Sequence, residues 1–485
     1  MIIRSQYFLS LSVLVAFSMS NERVAAQDTA QPIPLRESIS KTVPSGPLTL
    51  PDVEQRAVNT NPTVDQAKSN ITASRARQKQ AGLLPNPVVG GEAENFAFKA
   101  LDKKPTYLGF AVQTIPLGGK LKKMRDIYRN EVSQAEIELE MQQLRVRNTA
   151  RILFYQALGA QQILDIRKQL AVIARDATTT TSELFNVGQS DKPDYLESVI
   201  EKEQVEHELV AAKNNFERAW RSLAVFLGTP DLVPGRLAGN LEDRIEAIDE
   251  QQVYQKLVQQ SPQMRAALAQ IERAKAVLVR AKAEPYPDLY VRSSVGYSTE
   301  FLDTGEEGEP PRTGMLMNAQ VGVTLPIFNR NPGGIASAQT ELLYAQKEVQ
   351  RLKMALRIQL ASAMQSYNTA LDAVLRYRNT ILPKADEAYQ LWKTKFSQMA
   401  AAYPQVLIAQ RTSFQVREKY ISELVRLQQG STQLEGFLLG GGLDTPRSQF
   451  DTAMEHSETT SLRDIRASEE GDISSLDEAH NVDHY

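Results

Sequence analysis

The chain has 485 residues, enough for two or three domains or for one large repeat architecture. Its formal charge of −3 gives no electrostatic case for nucleic acid. Cysteine is absent and histidine numbers four, which excludes disulfides, thiolate metal sites, cysteine nucleophiles and a lipidated N-terminal cysteine, and disfavours a dense metal centre.

Residues 1–26 read as an export signal. Arg4 gives the positive start, Tyr7 to Phe17 is an apolar run, and Val24-Ala25-Ala26 supplies small residues for cleavage. Residues 27–47, rich in Pro, Ser and Thr, read as an extended N-terminal arm. Past residue 20 no apolar run reaches the ~20 residues a spanning helix needs, so a bilayer crossing would require strands.

Residues 48–240 form a first repeat. A helix is expected over 53–84, broken at Asn61-Pro62 and ending at AGLLPNP (81–87). The period then falls to two. The strand 88–98 turns Val89, Gly91 and Ala93 outward and Glu92 and Glu94 inward. In the strand 107–117, Leu108, Phe110 and Val112 alternate with Gly109, Ala111 and Gln113, in the apolar-out, polar-in manner. From Gly119 to Val187 there is no proline and an excess of Ala, Gln, Glu, Leu and Arg. At ~1.5 Å per residue that helix spans on the order of 100 Å and needs long partners. VGQSDKPD (187–194) reverses the chain, with Gly188 free to take a positive φ and Asp194 placed to cap the next helix.

Residues 241–442 repeat this plan. Ser261-Pro262 answers Asn61-Pro62, and Pro285/Pro287 answers Pro85/Pro87, at an offset of 200. Leu325-Pro326-Ile327 answers Ile115-Pro116-Leu117 at 210, and Gln405-Val406-Leu407 aligns with Asp194-Tyr195-Leu196 at 211. Strands are expected over 288–298, with Leu289, Val291, Val295 and Tyr297 opposite Arg292, Ser294 and Gly296, and over 316–327. In the long helix that follows, Leu342, Val349, Leu356, Ala363 and Ala370 recur every seven residues with Ala345, Leu352 and Ala373 at +3, interrupted by Gln359 and Ser366. Pro383 breaks or offsets it. Trp220 and Trp392 read as helix-packing groups. Residues 443–485 are acidic and poor in aromatics, a composition that predicts disorder, with His456, His480 and His484 among carboxylates.

Four strands cannot close a barrel, and an open sheet edge is not tolerated in hydrocarbon, so a membrane reading requires several chains around one axis. Periodicity does not choose three over two. There is no P-loop, paired metal-ligand motif, nucleophile elbow or Cys/His centre, so neither catalysis nor a cofactor is expected.

Over roughly 48–440 the chain resembles the TolC-like outer-membrane efflux factor family, and most of all its CzcC-like heavy-metal branch. The likeness is carried by AGLLPNPVVGGEAENF (81–96), QTIPLGGKLKK (113–123) and LPIFNRNPGGIASAQ (325–339). The resemblance implies a mainly α fold with membrane β: a duplicated unit of long antiparallel helices plus a β-hairpin, forming a trimeric α-barrel in the periplasm and a shared twelve-stranded β-barrel in outer-membrane lipid. It implies a homotrimer that docks a periplasmic adaptor and, through it, an inner-membrane proton-driven pump of the resistance-nodulation-division type. It also implies an adaptor-contact tip at Val187, Gly188 and Asp194. The second tip, QMAAAYPQ (398–405), departs from the family pattern, with Gln405 where the first copy has Asp194. This points to tip closure by Phe396, Tyr403 and Gln405 through packing and neutral hydrogen bonds. Glu92, Glu94 and Arg292 line the barrel lumen, either biasing ion passage or standing as ordinary solvated groups. Export of organic drugs or of a secreted polypeptide, and a soluble coiled-coil scaffold, remain open alternatives at this point.

Overall fold

The computed structural model describes residues 46–94, 106–302, 312–398 and 400–446. The export signal, nearly all of the N-terminal arm, residues 95–98 of the first expected strand and the acidic tail from residue 447 lie outside the described residues. Every element below belongs to one compact unit that begins at Pro47.

Each copy of the repeat begins with a helix broken by proline. α1 (Leu50–Thr60) stops at Asn61, which takes an extended conformation; its Oδ1 accepts from Thr63 N–H at 2.9 Å while Pro62 opens α2 (Pro62–Gln80). In the second copy α5 (Glu250–Gln260) stops at Ser261, whose Oγ accepts from Met264 N–H at 3.2 Å as Pro262 opens α6 (Pro262–Ala281). Proline supplies no N–H at a position that would leave it unsatisfied, and the polar residue before it caps the new helix.

After α2 come β2 (Val88–Glu94) and β3 (Thr106–Ile115), then α3 (Lys120–Asn186) and α4 (Lys192–Phe226). After α6 come β5 (Leu289–Leu302), β6 (Arg312–Val323), α7 (Pro332–Arg376), α8 (Leu382–Ser397) and α9 (Tyr403–Glu435). α3 is 67 residues long, on the order of 100 Å. In the second copy the long helix is offset rather than broken. A π-helical turn, Tyr377–Ile381, joins α7 to α8 just ahead of Pro383 and absorbs the carbonyls that proline cannot serve. Both β6 and β3 end before the positions expected from periodicity: Pro116 follows β3 directly, and β6 runs out at Val323, opposite Leu289 where β5 begins.

The heptad reading of α7 holds in part: Ala345, Val349, Leu356 and Ala370 are buried, together with Ala338, Leu360, Met364, Tyr367 and Val374. Steps of eleven also link Ala345 to Leu356 to Tyr367 and Ala338 to Val349 to Leu360. Eleven residues over three turns average about 3.67 per turn and favour a slight right-handed supercoil, whereas a strict heptad imposes a left-handed one. Gln359 and Ser366 are exposed beside the seam, so the heptad was interrupted where the true stripe steps aside.

The main core forms where α1, α3, α4, α5, α7 and α9 meet, around Phe154, Leu158, Leu223, Leu227, Leu424 and Tyr367. Each fully buried Leu or Phe contributes about 1.5–3 kcal/mol. Trp220 is buried there, donating its indole N–H to Leu232 O at 2.9 Å. A two-stranded parallel pair closes this region: β1 (Leu48–Thr49) beside β4 (Leu237–Ala238), which ties the start of the first copy to the linker between copies. Gln428 Nε2 donates to the carbonyls of Leu241 and Asp243 at 2.9 and 2.6 Å, fixing that linker on α9. Among the described residues no helix is long and apolar enough to cross a membrane.

Candidate functional site

The four long strands form one antiparallel sheet in the order β2-β3-β5-β6. Directly paired residues share a face, so the register sorts the side chains without ambiguity. One face carries Val89, Val291, Val295, Tyr297, Met315, Met317 and Val321. Met317 is 75% exposed and Val321 69%, a contiguous apolar surface left uncovered by the chain itself. The other face carries Glu92, Arg292, Ser294, Asn318 and Gln320.

Leu108, Phe110 and Val112 lie on this second, polar face, which corrects the apolar-out reading of their strand. Phe110 pairs with Gly90 on one side and Ser294 on the other, and Leu108 with Glu92 and Gly296. The glycines make the room. A Cβ at Gly90 would stand 2.6 Å from the Phe110 ring, and one at Gly296 would stand 2.1 Å from the Tyr107 carbonyl oxygen and 2.8 Å from Leu108 Cα. Large side chains on the central strand thus fill spaces left by glycine on its neighbours.

Over that apolar floor sits a charge pair. The Arg292 guanidinium lies 4.8 Å from the centre of the Phe110 ring and forms an ion pair with Glu92, reaching across β3 to do so. Two of the three expected lumen residues are therefore brought together. The backbone of Glu94 pairs with Thr106 on the same face, and its side chain lies outside the described residues.

A second cluster, missed from the sequence, joins the two copies where the strands meet the helices. Asp288 Oδ1 accepts from Leu117 N–H at 3.2 Å and from Lys120 Nζ at 2.8 Å, and Lys120 is buried. Gly118, at φ +68°, runs beneath Tyr286, and Lys123 Nζ stands 5.8 Å from the centre of the Tyr286 ring. A lysine as the first residue of a helix opposes the macrodipole, and that misfit was the available sign that a carboxylate waits nearby.

At the far end of the long helices, α3 closes on Gly188 at φ +74°, with Gly188 N–H donating to Phe185 O at 3.1 Å and Gln189 N–H to Leu184 O at 2.8 Å. Val187 is exposed, and the rings of Phe185 and Tyr195 stack at 5.9 Å. The N-cap of α4 is Asp191 rather than the expected Asp194, because the helix begins at Lys192. Asp194 lies in the first turn, where its charge complements the helix dipole, and accepts from Ser190 Oγ at 3.5 Å.

In the second tip the rings of Phe396 and Tyr403 meet at 5.9 Å. Gln405 Oε1 accepts from Ala402 N–H at 2.9 Å, which satisfies the N-cap backbone donor and engages the side chain at the start of α9. Tyr403 is buried, and that burial, reinforced by the charge of Glu201, pushes its hydroxyl up to about 12.

Charged groups tie the two tip hairpins together. Glu201 on α4 is 3% exposed and receives Arg411 Nε from α9 at 2.8 Å, while Arg411 also reaches Gln204 Oε1 at 3.3 Å. Higher up, Arg167 on α3 pairs with Glu208 on α4 and with Glu418 on α9, the latter at 2.7 Å through Nη2. Burial pushes the Glu418 carboxyl above its ordinary range despite that arginine. Among the described residues no group of three or more His, Asp or Glu could hold a metal ion.

This duplicated plan, a proline-broken helix, a strand pair and a long helical hairpin in each copy, matches the family model for outer membrane efflux protein over residues 53–229 and 253–441. The chain belongs to that family, whose members are outer-membrane efflux channels rather than enzymes. In sequence it is similar to the cobalt-zinc-cadmium resistance protein CzcC of Cupriavidus metallidurans, 26% identical over 436 residues that cover 89% of this chain and 99% of that protein. In structure it is similar to a membrane protein from Pseudomonas aeruginosa, with TM-score 0.65, 18% identity, and coverage of 80% of this chain and 93% of that one. It also resembles the outer membrane protein VceC of Vibrio cholerae, with TM-score 0.63, 15% identity, and coverage of 81% and 96%. These two likenesses establish a shared fold.

Proposed function

We propose that three copies of this chain join their sheets into a twelve-stranded barrel in the outer membrane and act as the exit duct of a tripartite efflux system for heavy-metal cations. The observation that carries this reading is the sheet itself. It has an exposed apolar face, a face of polar and charged groups, and two outer edges, β2 and β6, with no partner strand among the described residues. Unpaired N–H and C=O groups cost several kcal/mol each in hydrocarbon, so the edges must be closed by other copies. The polar face, with Glu92, Glu94 and Arg292, then surrounds water, and the Val321 face meets lipid.

In this scheme the helices extend into the periplasm. The tip bearing Val187, Gly188 and Asp194 contacts a periplasmic adaptor, and Phe396, Tyr403 and Gln405 help to close the second tip. Energy comes from an inner-membrane proton-driven pump of the resistance-nodulation-division type, and the duct is passive. The cargo class rests on the similarity to CzcC, a cobalt-zinc-cadmium resistance protein. Deleting the gene in a strain without redundant exporters tests it. Tolerance to cobalt, zinc and cadmium should fall and return with the gene. Unchanged metal tolerance alongside lost tolerance to organic antibiotics would assign the duct to drugs instead.

A further inference from the structure

The internal duplication supplies a template for a contact that a single chain cannot make. Within the chain, the turn leaving β3 packs on the turn entering β5: Leu117 N–H donates to Asp288 Oδ1 at 3.2 Å, and a Cβ on Gly118 would stand 2.7 Å from Tyr286 Cβ. At the repeat offsets of 210 and 200, the matching positions are Ile327 and Phe328 after β6, and Asn86 to Val88 at the entry to β2. The sizes are exchanged there. Phe328 stands where Gly118 stands, and Asn86 where Tyr286 stands, so the aromatic ring moves to the other side of the junction.

These two turns flank opposite edges of the sheet and cannot meet within one chain. Strand directions alternate across it, so β6 of one copy continues the antiparallel pattern against β2 of the next, head to tail. That step sets the two turns side by side at the same end of the strands. Both present apolar groups to solvent: Phe328 is 100% exposed and Ile327 63% in one turn, and Leu83 and Leu84 are 52% and 56% exposed in the other. The Phe328 turn is nonetheless fixed. Ile327 N–H donates to Leu325 O at 2.9 Å, Asn331 N–H to Asn329 Oδ1 at 3.0 Å, and Asn331 Nδ2 to Ala281 O at 3.1 Å. An apolar side chain held out on an ordered turn loses little further freedom when it docks.

We infer that Phe328 of each copy packs on the Leu84–Asn86 turn of the next copy, forming a collar of ring-on-turn contacts at the base of the sheet. The inference rests on the proposed closure of the sheet between copies, and it names the contact that sets the order of that closure. The chain lacks cysteine, so the contact can be trapped directly. Full-length protein carrying both Asn86→Cys and Phe328→Cys, oxidised in outer-membrane vesicles, should give covalent dimers and trimers. Each single variant should lose those bands completely. Phe328→Ser should keep the helical circular dichroism and lower the temperature at which the detergent-extracted oligomer dissociates.

Intact oligomer by native mass spectrometry without the disulfide would overturn the collar while leaving the channel reading in place. A monomer at membrane concentrations would overturn both. In Phe328→Trp, added fluorescence that is quenched by brominated phospholipid would show lipid rather than a neighbouring copy covering the site, and would also overturn the collar.

Discussion

Arg411 answers the buried Glu201, so Arg411→Ala strands a carboxylate that is 3% exposed. With Nε 2.8 Å from Oε2, Coulomb's law gives about 1.5 kcal/mol at the dielectric of water and about 6 kcal/mol at an effective value of 20. The arginine side chain is 43% exposed, which draws the figure toward the lower limit. Against that, the stranded carboxylate keeps a desolvation penalty of about 1–3 kcal/mol. We expect a loss of about 2–3 kcal/mol, local to the tip hairpins because the only group removed joins α4 to α9. Amide hydrogen exchange in α4 and the start of α9 should therefore speed up about 30- to 150-fold, with the main core unchanged. Glu201→Gln in the Arg411→Ala background removes the buried charge and should restore most of the protection. If Arg411→Ala exchanges no faster than wild type, or the double variant is no slower than the single, the ion pair does not hold the hairpins.

Gly296→Val places a side chain against the Tyr107 carbonyl and Leu108 Cα, backbone atoms that cannot yield, so β3 and β5 should lose their pairing. The variant should keep its helical circular dichroism and fail to form the heat-resistant oligomer that the proposed closure of the sheet between copies predicts on gels. Arg292→Gln leaves Glu92 without its cation on the polar face, and reversal potentials in planar bilayers should shift toward cation selectivity. Tyr403 titrates at about 12 when folded, against 10 ordinarily. Its hydroxyl stays protonated in the folded state while the unfolded chain ionises, so its stabilisation is full below pH 10 and is lost as pH rises from 10 to about 12. Tyr403→Phe should flatten alkaline unfolding over that window, leaving the contributions of Tyr155, Tyr367 and Tyr389, raised by burial, and of Tyr420, raised by burial and by its hydrogen bond to Glu242.

Features whose cause is local were legible in the sequence. The breaks at Asn61-Pro62 and Ser261-Pro262 follow from a missing N–H and a capping side chain within three residues. The reversal at Gly188 follows from a positive φ. The long helix of the first copy follows from an unbroken run of helix formers. The β1/β4 pair was not legible, because two residues on each side carry no periodicity. The Lys120–Asp288 pair joins positions 168 apart, and only the electrostatic misfit of a lysine at a helix start hinted at it. In the candidate tip, Gly188 was readable as turn chemistry while the cap fell at Asp191 rather than Asp194, and the Glu201–Arg411 tie depends on how two hairpins lie together, which neither hairpin encodes alone.

The face of β3 shows how far a period of two can carry. Alternation identifies the strand and groups Leu108, Phe110 and Val112, but it leaves the sign of the face open, because a strand turned over has the same pattern. The sign is fixed by neighbours: Glu92 and Gly296 beside Leu108, Gly90 and Ser294 beside Phe110. Hydrophobicity favours placing the leucine and phenylalanine on the apolar face with Val291 and Val321, yet Gly109 and Ala111 lie there instead, opposite Val295 and Ser293. The decisive constraint is steric. A phenylalanine on a central strand needs a gap on a flanking strand, and Gly90 offers it on the Arg292 side, where the ring can also carry the guanidinium at 4.8 Å. Glycines placed opposite bulky residues therefore carry the face information that alternation lacks, and only knowledge of the register makes them readable.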